Sequence, residues 1–68
     1  MAVLQLNRIK TVLAEKGKSN LWLAERLDKS ATTVSRWCTN DNQPSVEMLY
    51  QIAKLLDVDI RELLNNTK

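Results

Sequence analysis

Asn20 to Thr39 reads NLWLAERLDKSATTVSRWCT, and its apolar spacing predicts two short helices joined by a tight turn. Leu23 and Leu27 stand four apart with small Ala24 beside them, so the first helix has one apolar face that admits a close neighbour. Asp28, Lys29 and Ser30 break the pattern, and Ser30 is a natural N-cap for the second helix. In that helix Val34 and Trp37 mark the inward side, while Thr32, Thr33, Ser35 and Arg36 point elsewhere. A helix of about two turns is marginal by itself, so packing must hold it. Its outward side carries hydroxyls and a guanidinium and no carboxylate, chemistry that suits base edges and phosphates as well as plain solvent.

Leu23, Ala24, Leu27, Val34 and Trp37, with Asn20 opening the first helix and Ser30 capping the second, resemble the phage-repressor (Cro-like, XRE-type) helix-turn-helix regulators. The likeness continues through Pro44, Ser45, Leu49, Ile52, Ala53, Leu56, Val58 and Leu63, covering about Leu6 to Leu64. It implies an all-α fold: a compact five-helix bundle of the lambda-repressor-like kind, with the helix-turn-helix at its centre, in one domain over residues 1–68. Helices are expected at about 5–16, 20–27, 31–38, 45–56 and 60–65.

By the same resemblance the helix 31–38 enters the major groove of double-stranded DNA, with Ala31, Thr32, Thr33 and Arg36 at base edges. Arg36 is the main candidate for specificity, since a guanidinium bidentate to guanine discriminates by about 1–3 kcal/mol. Its alternative is a surface ion pair with Glu15, Glu25 or Asp41. Ser19, Asn20, Ser30, Ser35, Thr39, Asn40 and Asn42 are the candidate phosphate contacts, the first two because helix N-termini attract anions. Simple capping also accounts for Ser19, and turn chemistry for the loop Thr39 to Gln43. Asp28 stands where the family usually has Gly in a left-handed turn, and Asn40 at another such position; both residue types tolerate that geometry. Asp41 and Gln43 occupy places that are more often basic, which weakens the loop as a phosphate grip. Cys38 stands where many relatives have Glu paired with a basic residue at the position of Leu13. The expectation is that a Leu13 to Cys38 packing contact replaces that pair.

Outside the motif, Leu6, Ile9, Val12 and Leu13 recur at helical spacing as an inward stripe, and Gly17 supplies a left-handed stop. Met1 to Leu4 are apolar without periodicity: a frayed end, an extra turn or an arm on a partner. Ser19 is the expected cap of the second helix. Trp22 faces partly outward, either stacked on Arg26 one turn later or serving as an anchor for a protein partner. Pro44 and Ser45 start the fourth helix, whose stripe is Val46, Leu49, Ile52, Ala53 and Leu56. Asp59 and Glu62 have capping-box spacing, so they are helix caps and not catalytic carboxylates. Ile60 and Leu63 turn inward, which leaves Val58 and Leu64 for a homodimer contact, as the resemblance suggests.

Sixty-eight residues allow a single small core. The 44% apolar and 26% charged fractions are those of a globular chain, and no apolar run approaches a membrane span or a signal peptide, so a cytoplasmic protein is expected. Residues 1–43 hold seven Lys or Arg against four acids, and residues 44–68 three against four, so the motif lies in the basic part. With no histidine and one cysteine there is neither an intrachain disulfide nor a protein-only zinc site, and no cofactor is expected. An enzyme fails for want of a nucleophile with its base or a phosphate-cradling glycine loop. Two functions remain: a dimeric regulator on a palindromic operator, acting most simply as a repressor, or a protein-interaction module that kept the fold.

Overall fold

A computed structural model describes residues 5–65, so the expectations for Met1 to Leu4 fall outside the described residues. Four α-helices follow one another: α1 (Ile9–Glu15), α2 (Asn20–Leu27), α3 (Ala31–Cys38) and α4 (Val46–Leu56). A single 3-10 turn, Ile60–Leu63, comes after them. None of these helices is long and apolar enough to cross a membrane.

Local signals set most of the boundaries. Ser19, Ser30 and Ser45 each accept a hydrogen bond from the backbone N–H three residues on, at 3.0, 3.1 and 3.1 Å, so α2, α3 and α4 all begin on a serine cap. Gly17, Asp28 and Asp57 end α1, α2 and α4 in the left-handed region, at φ 69, 56 and 57°. After Asp28 the Lys29 N–H returns to the Ala24 carbonyl at 2.9 Å, and after Asp57 the Val58 N–H returns to Ala53 at 3.0 Å. In the final turn the Asp59 carboxylate accepts from the Arg61 N–H, while the Asp59 N–H donates to the Glu62 carboxylate at 3.0 Å. That closes the expected capping box.

The core lies between the helices. Ile9, Leu23, Val34, Ile52 and Leu63 have no exposed surface, and Val12, Leu13, Ala24, Trp37, Cys38, Ala53 and Leu56 surround them. Leu13 and Cys38 are both buried in this apolar cluster. The helix-turn-helix packs α3 across α2, and α1 and α4 hold it from behind.

Three expectations are corrected. The first helix begins at Ile9, not Gln5, because the residues before it are extended: Asn7 forms an antiparallel bridge with Leu64. The Arg8 N–H donates to the Leu63 carbonyl at 2.8 Å, and the Asn65 N–H to the Leu6 carbonyl at 3.0 Å. Leu6 thus leaves the inward stripe and is half exposed. The fifth helix is only the 3-10 turn, since Leu64 is drawn into that bridge instead of continuing a helix to residue 65. Val46 is not part of the buried stripe of α4; it occupies the first helical position and is 74% exposed.

The extended segment is also bonded to the loop after α3. Asn40, buried at φ 64°, accepts through Oδ1 from the Leu6 and Asn7 N–H groups at 2.9 Å each and from Gln43 Nε2 at 3.0 Å. Its Nδ2 donates to the Asn7 carbonyl at 3.2 Å. Asn7 answers with its own amide, donating to the Trp37 carbonyl at 2.9 Å and to Gln43 Oε1 at 2.8 Å. Every buried side-chain polar atom of the described residues is satisfied.

Candidate nucleic-acid interface

Burial of Val34, Trp37 and Cys38 fixes how α3 is turned. Thr32, Ser35, Arg36 and Thr39, at relative positions 0, 3, 4 and 7, then form one stripe on its outward side, and all four are exposed. Ala31 is exposed at the entry to this stripe. Thr33 is half-buried, and its hydroxyl lies 2.9 Å from that of Ser30, so these two hydroxyls are bonded to each other beside the cap.

Arg36 makes no ion pair among the described residues. Among the described residues the pairs are Arg8 with Glu15 at 3.8 Å and Arg61 with Asp59 at 3.1 Å, so Glu15 is engaged elsewhere. The backbone around Arg36 is firmly held: its carbonyl accepts from the Asp41 N–H at 2.9 Å and the Asn42 N–H at 3.3 Å. The Thr39 hydroxyl lies 3.3 Å from that carbonyl and 3.2 Å from Asp41 Oδ2. Asn42 is exposed beside it.

The start of α2 meets the end of α3. Cys38 Sγ donates to Asn20 Oδ1 at 3.3 Å, which leaves the Asn20 Nδ2 without a bonded partner among the described residues. Burial pushes the Cys38 thiol above its ordinary value of 9.0, against the opposing field of Lys10, so the thiol stays protonated near neutral pH and can donate. This contact sets Asn20 against Cys38, the residue before Thr39, so it links the start of α2 to the end of α3.

Asn40 does not belong with them. Its left-handed backbone is as expected, but its side chain is buried and every bonding position described above is internal, so it shapes the loop instead of facing a phosphate. Trp22 is half-buried against the core, with Arg26 5.6 Å from its ring centre, one of the two alternatives for it, and Lys18 closer, at 4.9 Å. Sequence reasoning missed Asn7 and the bonded role of Gln43. The one available signal was an Asn among the apolar residues that precede α1.

The helix-turn-helix family model HTH_3 matches residues 9–63 of the chain. Among solved structures, the crystal structure of a candidate DNA-binding protein from Bacteroides fragilis is similar, at 58% identity and a TM-score of 0.88. That match covers 91% of this chain and 100% of the other. No curated protein matches the chain.

Proposed function

Since the chain belongs to the HTH_3 helix-turn-helix family, we propose that it is a small transcriptional regulator that binds double-stranded DNA sequence-specifically and is not an enzyme. The observation that carries this reading is the outward stripe of α3, hydroxyls and an unpaired guanidinium with no carboxylate on it. The similarity to a candidate DNA-binding protein supports it.

In this reading α3 lies in the major groove. Ala31, Thr32, Thr33 and Arg36 meet base edges, and Arg36, free of competing acids, is available to form the bidentate bond to guanine. Ser19, Asn20, Ser30, Ser35, Thr39 and Asn42 donate to phosphates on either side and fix the docking register. Two copies joined through Val58 and Leu64 read a palindrome with half-sites about 34–36 Å apart. Occlusion of polymerase then suffices for repression in the cytoplasm. The competing role of Trp22 as a protein anchor loses support, because the ring already packs on the core and against two cations.

Fluorescence anisotropy on the DNA upstream of its own gene and on a scrambled duplex, at two salt concentrations, tests this. The expected result is preferential, salt-weakened binding to the native duplex. Arg36→Ala should lose about 1–3 kcal/mol of that preference. Absence of binding to both duplexes at low salt would overturn the reading in favour of a protein-interaction module.

A further inference from the structure

A polar cleft of about 210 Å³ opens between α1 and the end of α3, lined among others by Arg8, Lys10, Thr11, Cys38 and Thr39. No carboxylate lines it. Of its two cations, Arg8 is occupied, with one guanidinium nitrogen 3.8 Å from Glu15 and another donating to the Glu62 carbonyl at 3.2 Å. Lys10 is exposed and forms no ion pair among the described residues. The cleft adjoins both groups of phosphate candidates: Thr39 belongs to its wall and to the outward stripe of α3, and Cys38 bonds Asn20 at the start of α2.

We propose that this cleft is a phosphate subsite, with Lys10 as its cation and the Thr11 and Thr39 hydroxyls as its neutral donors. The proposal rests on the DNA-binding reading above and extends that interface onto α1. A backbone phosphate seated there lies against Thr39 and against Cys38, which bonds Asn20. A single ammonium with flanking hydroxyls suits a tetrahedral anion held as a point charge, not a planar group needing a fork of donors. Lys10 and Cys38 share the cleft wall, and the positive charge of Lys10 is felt at Cys38. Asp41 Oδ2 accepts from the Thr39 hydroxyl, which must turn from it to meet a phosphate.

The test is a salt titration of DNA affinity for the wild type, Lys10→Gln and the control Lys54→Gln, whose ammonium lies over Tyr50 on α4. One phosphate contact contributes about 0.9 to the slope of log affinity against log salt, so between 50 and 200 mM salt the wild type should lose about 3.5-fold more affinity than Lys10→Gln. The Lys10 variant should weaken native and scrambled duplexes equally, and the Lys54 variant should match the wild type. If the wild type binds DNA and Lys10→Gln keeps its slope, the subsite is overturned while the regulator reading stands. A second arm titrates inorganic phosphate and follows amide chemical shifts without DNA. If the wild type binds no duplex but phosphate shifts Lys10, Thr11 and Thr39, and Lys10→Gln removes those shifts, the cleft takes free phosphate and the DNA source is overturned. Neither response would overturn the subsite and the regulator together.

Discussion

Asn40 and Asp28 hold the same left-handed backbone for opposite reasons. Asp28 is exposed, and its carboxylate has no hydrogen-bond partner among the described residues, so at φ 56° it contributes only tolerance. Asn40 at φ 64° is buried and supplies the acceptor for two backbone N–H groups. Glycine relieves the backbone at either position, but at Asn40 it strands those donors, at about 1–3 kcal/mol for each buried group left unpaired. Urea unfolding should therefore show Asp28→Gly more stable by about 1 kcal/mol and Asn40→Gly, which strands two donors and regains the same backbone relief, less stable by about 1–5 kcal/mol. The left-handed backbones at both residues were legible in the sequence, because few residue types accept that geometry. The bonds of Asn40 were not, since its partners lie 33 and 34 residues away. The same distance explains why the family resemblance suggests a phosphate role for a side chain that faces inward.

Helix boundaries divide along the same line. The serine caps and the Asp59–Glu62 box are signals written within four residues, and each marks the start of an element within one residue of where the sequence places it. The start of α1 and the shortness of the last turn depend on a bridge between Asn7 and Leu64, which no local periodicity announces. Leu6 continues the helical spacing of Ile9 and Val12 yet is claimed by that bridge, and Val46 continues the spacing of Leu49 yet sits at the uncovered end of α4. The capping box makes a pH-dependent prediction. Hydrogen bonds from the Arg61 side chain and backbone hold the exposed Asp59 carboxyl below its ordinary value of 3.8. A depressed carboxylate contributes stability that is complete above the ordinary value and is lost as the pH falls through the lower folded-state value. Thermal unfolding should show Asp59→Ala with a lower Tm at pH 7, and the difference from the wild type should shrink steadily below about pH 4.

At the scale of the whole molecule, a core this small makes a second copy a natural source of stability. Leu64 is 43% exposed, whereas Val58 packs partly on the core, so Leu64 is the cleaner probe of the proposed dimer. Sedimentation equilibrium should show Leu64→Glu shifted toward monomer with its helical circular dichroism retained, and binding to a palindromic duplex weakened more than binding to one half-site. A wild type that stays monomeric at every concentration, with Leu64→Glu binding DNA equally well, would sink the dimer. The clasp between residues 5–7 and 63–65 also orders events in time. The turns of α2 and α3 close over a few residues, while Asn65 reaches the Gln5 and Asn7 carbonyls across 60 and 58 residues. Closing so long a loop adds only about 0.6 kcal/mol per doubling of length, but contacts of that range form after local ones. A chain emerging from synthesis has the turns of α2 and α3 available early, but packing against α1 and α4 must hold them, and the clasp closes only when residues 63–65 arrive. The bonds that pin the loop after α3 to residues 6 and 7 need no residue beyond Gln43, so the clasp reinforces a strap whose other partners are made long before it.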